Sequence, residues 1–84
     1  MELLIIVNDS YHSSIECKTI SFTSINGSME ILDGHANGFF AIPSGKIKIV
    51  KFDKTEVSLN IVNGLISILD INKAKLLCDN IQNS

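Results

Sequence analysis

Short isoleucine- and leucine-rich runs, separated by turn residues, occupy almost the whole chain. Turn signals fall roughly every eight to twelve residues, the rhythm of strands in a sandwich or a barrel. β-Branched side chains lose little rotamer freedom in a pleated strand, so their enrichment favours sheet over helix. "ELLIIVN" (2–8) is apolar on both parities and reads as a central or sandwiched strand. "KIKIVK" (46–51) alternates cleanly, placing Ile47 and Ile49 inward and Lys46 and Lys48 outward. In "EVSLNIV" (56–62), Val57, Leu59 and Ile61 alternate in the same way with Ser58 and Asn60.

The punctuation is equally plain. "NDSYHSS" (8–14) reads as a polar loop, "SING" (24–27) and "PSG" (43–45) as turns, and "DKT" (53–55) as another. Asn63-Gly64 predicts a two-residue hairpin with "LISILDI" (65–71) as its return strand, because type I′ turns need positive φ at both central positions. "IECKTISFT" (15–23) carries a conflict. Ile15 and Cys17 share one face while Ile20 and Phe22 share the other, which predicts a bulge or kink near Lys18–Thr19. The adjacent Phe39 and Phe40 cannot both face inward from one strand, so one of them is expected to be exposed or covered by another element. In "INKAKLLCDNIQ" (71–82), helical spacing and strand alternation both fit, and pattern alone does not separate them.

Eighty-four residues suit a single small domain, residues 1–84, with one core. The net charge of −2, with lysines scattered among acids, offers no basic face for nucleic acid. "LLIIV" is far shorter than the roughly 20 residues of a membrane helix, and it lacks the basic flank and cleavage site of a signal peptide. Cys17 and Cys78 are expected as free, buried thiols. With His12 and His35 they show no metal-ligand spacing, and no cofactor is implied.

"LDGHANGFF" (32–40) sets Asp33 two residues from His35 and invites a catalytic reading with Ser28 or Ser44. Such a triad is defined by three-dimensional geometry, no G-x-S-x-G elbow is present, and a core this small leaves little room for a cleft. Gly34, Gly38 and Gly45 lack the spacing and the following helix of a phosphate loop. The segment reads instead as a turn-rich docking loop on a rigid scaffold, with no catalytic residues.

The stretch "ISFTSINGSMEILDGHANGFFAIPSGKIKIV" (20–50) resembles the signature region of the epsilon subunit of the F-type ATP synthase. Gly27, Ile31, Gly34, His35, Ala36, Gly45, Ile47, Lys48 and Ile49 fit that family's pattern in register, and "NIVNGLISILDINKAKLLCD" (60–79) resembles its following hairpin and strand. Departures stand at Ser28, Glu30, Asp33 and Asn37-Gly38, and the chain stops at Ser84 without the family's C-terminal helical hairpin.

The resemblance implies an all-β fold, a two-sheet antiparallel β-sandwich or flattened barrel, and it tips Ala74–Cys78 towards strand. It implies a rotor role at the foot of the central stalk, binding the gamma subunit and resting on the polar loops of the c-ring. Proton translocation would be coupled there to ATP synthesis, without the hairpin that inhibits rotation. Carried over by position, Ser28, Glu30, Asp33 and His35 would face the ring, and Val7, Asn8, Phe39 and Phe40 would face gamma. The chain would lie on the cytoplasmic face of a bacterial inner membrane, held there only through the complex. The competing reading is a stand-alone β-sandwich interaction module built on the same scaffold, since fold does not fix function.

Overall fold

The computed structural model describes residues 1–24, 27–32, 38–70 and 72–83. These form eight strands: β1 (Glu2–Val7), β2 (Ser10–Glu16), β3 (Thr19–Ser24), β4 (Gly27–Leu32), β5 (Gly38–Val50), β6 (Glu56–Asp70), β7 (Lys73–Cys78) and β8 (Asn80–Asn83). Hydrogen bonds link them in the order β2-β1-β7-β6-β5-β3-β4, with β8 paired to β6. The path is open, so the fold is a sandwich and not a closed barrel.

Two long strands make both layers. β5 and β6 pair in one constant register, from Gly38 opposite Ile68 to Val50 opposite Glu56. The second half of β6 also pairs with β7, while its first half pairs with β8. One layer therefore holds β2, β1, β7 and the halves of β6 and β5 around Leu65 and Ala41. The other holds β8, β4, β3 and the remaining halves.

The burial pattern marks the corner between them. Inward residues of β5 change from Phe40 and Ile42 to Ile47 and Ile49, an even-to-odd switch across residues 43–46. In β6 they change from Leu59 and Ile61 to Gly64, Ile66 and Ile68. Each long strand bends where the parity switches, and both halves keep their apolar set on the common core. Ile5, Ile20, Ile31, Ile42, Ile47, Ile49, Ile66 and Leu76 are fully enclosed there. The Phe22 and Phe40 rings meet across the core at 5.9 Å and a tilt of 57°, a favourable aromatic geometry.

Three expectations change. Asn63-Gly64 is not a hairpin, because β6 runs through it. Asn63 adopts φ 53°, and a side chain at buried Gly64 would run into Ile61 Cδ1, so the pair shapes a bend. Reversal there would strip β5 residues 38–42 of their ladder partners, a cost that buried backbone does not bear. "PSG" is likewise the matching corner of β5, where Pro43 has no N–H to contribute. The two-residue hairpin with positive φ lies instead at Asn8 (50°) and Asp9 (64°), joining Val7 to Ser10. Ser10–Ser14, expected as loop, belong to the polar edge strand β2.

Other expectations hold. The kink falls at residues 17–18, where β2 ends against β1 and β3 begins against β5, so the two parities serve different layers. Residues 73–78 form a strand. Among the described residues β7 pairs with β1 in parallel, the exception to the antiparallel sheet; the long connection between β1 and β7 allows this, whereas a hairpin would not. The turns "SING" and "LDGHANG" have Ile25, Asn26 and residues 33–37 outside the described residues.

Candidate functional site

Three strands of the first layer are apolar on both parities. β1 sends Leu3 and Ile5 inward and Leu4 and Ile6 outward. β7 sends Ala74, Leu76 and Cys78 inward and Lys75 and Leu77 outward, and the second half of β6 sends Leu65, Ser67 and Leu69 outward. Cross-strand register aligns the outward set in rows. Tyr11, Ile6, Leu77, Leu65 and Ala41 lie directly opposite one another across five strands. The adjoining row is Ser14, Leu4, Lys75, Ser67 and Phe39. Ile6, Leu77 and Leu65 are half-buried by their neighbours, while Tyr11 is 68% and Phe39 77% exposed.

The middle of the first row borders a cleft of about 220 Å³ between the β1–β2 turn and the β6 corner. Ile6, Leu65, Leu77 and Cys78 line it, with Asn8, Asp9, Asn63 and Asp79 around them. Two contacts shape this end. The Asn8 N–H donates to the Cys78 carbonyl at 2.9 Å, and Asn63 Nδ2 donates to Asp79 Oδ2 at 2.9 Å. Burial pushes the Cys78 thiol up from its ordinary pKa, and the Asp79 carboxylate adds to the effect. The thiol is accordingly protonated at neutral pH and is a poor nucleophile.

Val7 packs on the core at the end of β1, and Asn8 opens the turn at the cleft. Phe40 turns in against Phe22 while Phe39 turns out, the division that two adjacent phenylalanines require. Asn8 and Phe39 therefore lie on one layer, separated by β7 and β6. Leu65 and Leu77 fill the interval between them, and sequence reasoning missed both. Their signal was the apolar residue at every position of "LLIIV" and the adjacent leucines of "KLLC".

Ser28 and Glu30 are exposed on one side of β4, at the opposite end of the sheet path. Ser21 Oγ donates to Glu30 Oε2 at 3.4 Å, tying Glu30 to β3. Asp33 and His35 lie outside the described residues, so of the four residues expected to face the ring the structure describes only Ser28 and Glu30. Ser44 donates its hydroxyl to the Pro43 carbonyl at 2.7 Å on the exposed corner. Among the described residues no group of three or more His, Cys, Asp or Glu side chains is placed to hold a metal, and no helix is long and apolar enough to cross a membrane.

No protein-family model matches the chain, and no curated protein matches it by sequence. Solved structures do match. A chain of the Euglena gracilis mitochondrial ATP synthase, in a structure of OSCP, F1 and c-ring, superposes with a TM-score of 0.87 at 15% identity, over 96% of this chain and 51% of that one. A chain from the central stalk and c-ring of the Tetrahymena thermophila mitochondrial ATP synthase gives 0.80 at 15% identity, over 98% of this chain and 65% of that one. The chain thus spans about half to two thirds of the length of these neighbours, and it has the fold of chains found in ATP synthase stalk and c-ring assemblies.

Proposed function

We propose that the chain is a non-catalytic rotor subunit of an F-type ATP synthase, bound to gamma and resting on the polar loops of the c-ring. Its work is mechanical: it joins stalk to ring so that proton translocation turns gamma. One observation carries this reading. A sequence pattern resembling the epsilon subunit folds into the architecture of chains in two ATP synthase assemblies, although identity to them is only 15%. The ring contact is assigned to Ser28 and Glu30 with Asp33 and His35, and the gamma contact to Val7, Asn8 and Phe39; Phe40, expected beside them, packs against the core instead. Attachment to the cytoplasmic face of a bacterial inner membrane would then be indirect, through the complex.

Adding the purified chain to an epsilon-depleted ATP synthase tests the proposal. The expected result is a gain in coupling between ATP hydrolysis and proton pumping; no gain would sink it. Size-exclusion chromatography with purified gamma supplies the complementary observation. A stable complex is expected, whereas a monomer indifferent to gamma favours the stand-alone interaction module.

A further inference from the structure

The β6 corner calls for an asparagine followed by a glycine. Residue 63 holds φ at 53°, which asparagine tolerates and branched side chains do not. Residue 64 is buried, and any side chain there would meet Ile61 Cδ1. The two choices together have a chemical consequence. Glycine leaves its backbone nitrogen unshielded, which makes that nitrogen a nucleophile for the amide carbon of a preceding asparagine. The Asn63 Cγ–Nδ2 bond breaks, a bond from Cγ to the Gly64 nitrogen forms, and the Gly64 amide proton leaves with Nδ2 as ammonia. Water then opens the succinimide, at Cγ to give aspartate or at the main-chain carbonyl to give isoaspartate.

In the folded chain both reacting groups are held. Asn63 Nδ2 donates to Asp79 Oδ2 at 2.9 Å, and the Asp79 N–H donates to the Val62 carbonyl at 2.9 Å. These two bonds clasp the corner to the link between β7 and β8. Val62 is registered opposite Ser44 and Gly64 opposite Ile42, which fixes the backbone on either side of Asn63. Ring closure needs the Asn63 amide to leave Asp79 and swing onto a strand nitrogen, so the corner must open first.

After conversion the clasp cannot re-form. Aspartate sets a carboxylate where the amide donor stood, against the Asp79 carboxylate, and like charges so close repel. Isoaspartate adds a methylene to the main chain between Val62 and Gly64, where the ladder with β5 has no slack.

We infer that Asn63 is a latent deamidation site latched by Asp79, and that its conversion irreversibly releases the β6 corner from the β7–β8 link. The inference does not depend on the rotor reading.

Site-resolved mass spectrometry follows deamidation of the full chain in mildly alkaline buffer, folded and in concentrated urea. Asn26-Gly27 and Asn37-Gly38 in the urea sample set the rate of an unrestrained pair. Asn63 is expected to keep pace with them in urea and to convert at least about tenfold more slowly in the folded chain. Asp79→Ala is expected to speed conversion in the folded chain by about fivefold or more, the loosening due to one lost hydrogen bond to a carboxylate. Circular dichroism checks that this variant folds. Asn63→Asp is expected to lower the thermal midpoint further than Asn63→Ser. Combining Asn63→Asp with Asp79→Asn reverses donor and acceptor and is expected to recover the difference, a test of the clasp that stands even where Asp79→Ala does not fold. Equal rates for Asn63 in folded and unfolded chain, or an unchanged rate in folded Asp79→Ala, overturn the latch. Asn63→Asp as stable as Asn63→Ser, or no recovery in the reversed pair, overturns the release.

Discussion

Asn63 does more for the fold than its place in a turn-like dipeptide suggests. Its φ of 53° lies in the left-handed region, where asparagine and glycine are tolerated and β-branched residues are not. Its side chain also holds Asp79 at 2.9 Å. Asn63→Val is therefore expected to destabilise by about 1–3 kcal/mol in urea unfolding, combining backbone strain with the lost hydrogen bond. Asn63→Gly removes only the hydrogen bond and should cost about 1 kcal/mol or less. Equal losses for the two variants would show that φ is not what selects asparagine here. The neighbouring Gly64 was legible as a special position, but its role was not. A dipeptide that favours positive φ reads the same whether the chain reverses or merely bends, and only the strands on either side decide which occurs.

At the scale of elements, the turn between β5 and β6 shows what local chemistry determines unaided. Lys54 takes φ 71°, the Lys51 N–H donates to the Thr55 carbonyl at 2.9 Å, and the Thr55 N–H donates to Asp53 Oδ1 at 2.9 Å. That backbone hydrogen bond, together with the Thr55 side chain, holds the Asp53 pKa below its ordinary 3.8. A carboxylate with a depressed folded pKa stabilises fully above its unfolded value and loses the contribution as pH falls through the folded one. Thermal midpoints of wild type and Asp53→Asn should therefore differ at pH 7 and converge in acid, the difference shrinking as pH falls through 3.8 and below it. A constant difference across the range would count against the charge. The turn was readable as "DKT" because it needs nothing beyond its own residues. The polar strand β2 was not, since Ser10–Ser14 carry no apolar alternation and are held in place by pairing with β1.

At the scale of the whole molecule, the two cysteines report on cooperativity. Cys17 is fully enclosed beside Met1 at one end of β1, and Cys78 is nearly so beside Val7 at the other. If the two layers share one core, both thiols should resist a thiol reagent in native buffer and become reactive together across the denaturant transition. Earlier modification of Cys78 would mean that the cleft end of the first layer opens separately. The arrangement also explains how much of the candidate surface was visible in advance. Phe39 and Phe40 announced an outward aromatic, because one strand cannot bury consecutive side chains on the same side. Leu65 and Leu77 gave no such announcement, for they face one another only once β6 and β7 pair.

By itself the sequence determined the strand content, the alternation that sends Ile47, Ile49, Leu59 and Ile61 inward, the break near residue 18 and the tight turn at residues 53–55. These follow from side-chain parity and local backbone preference, which act over a few residues. Tertiary structure alone decided that Asn63-Gly64 bends a strand that continues, that β1 and β7 run in parallel, and that outward side chains from five strands form one row. Those outcomes depend on which distant strands satisfy each other's backbone hydrogen bonds, and register between distant strands is not written in either one alone.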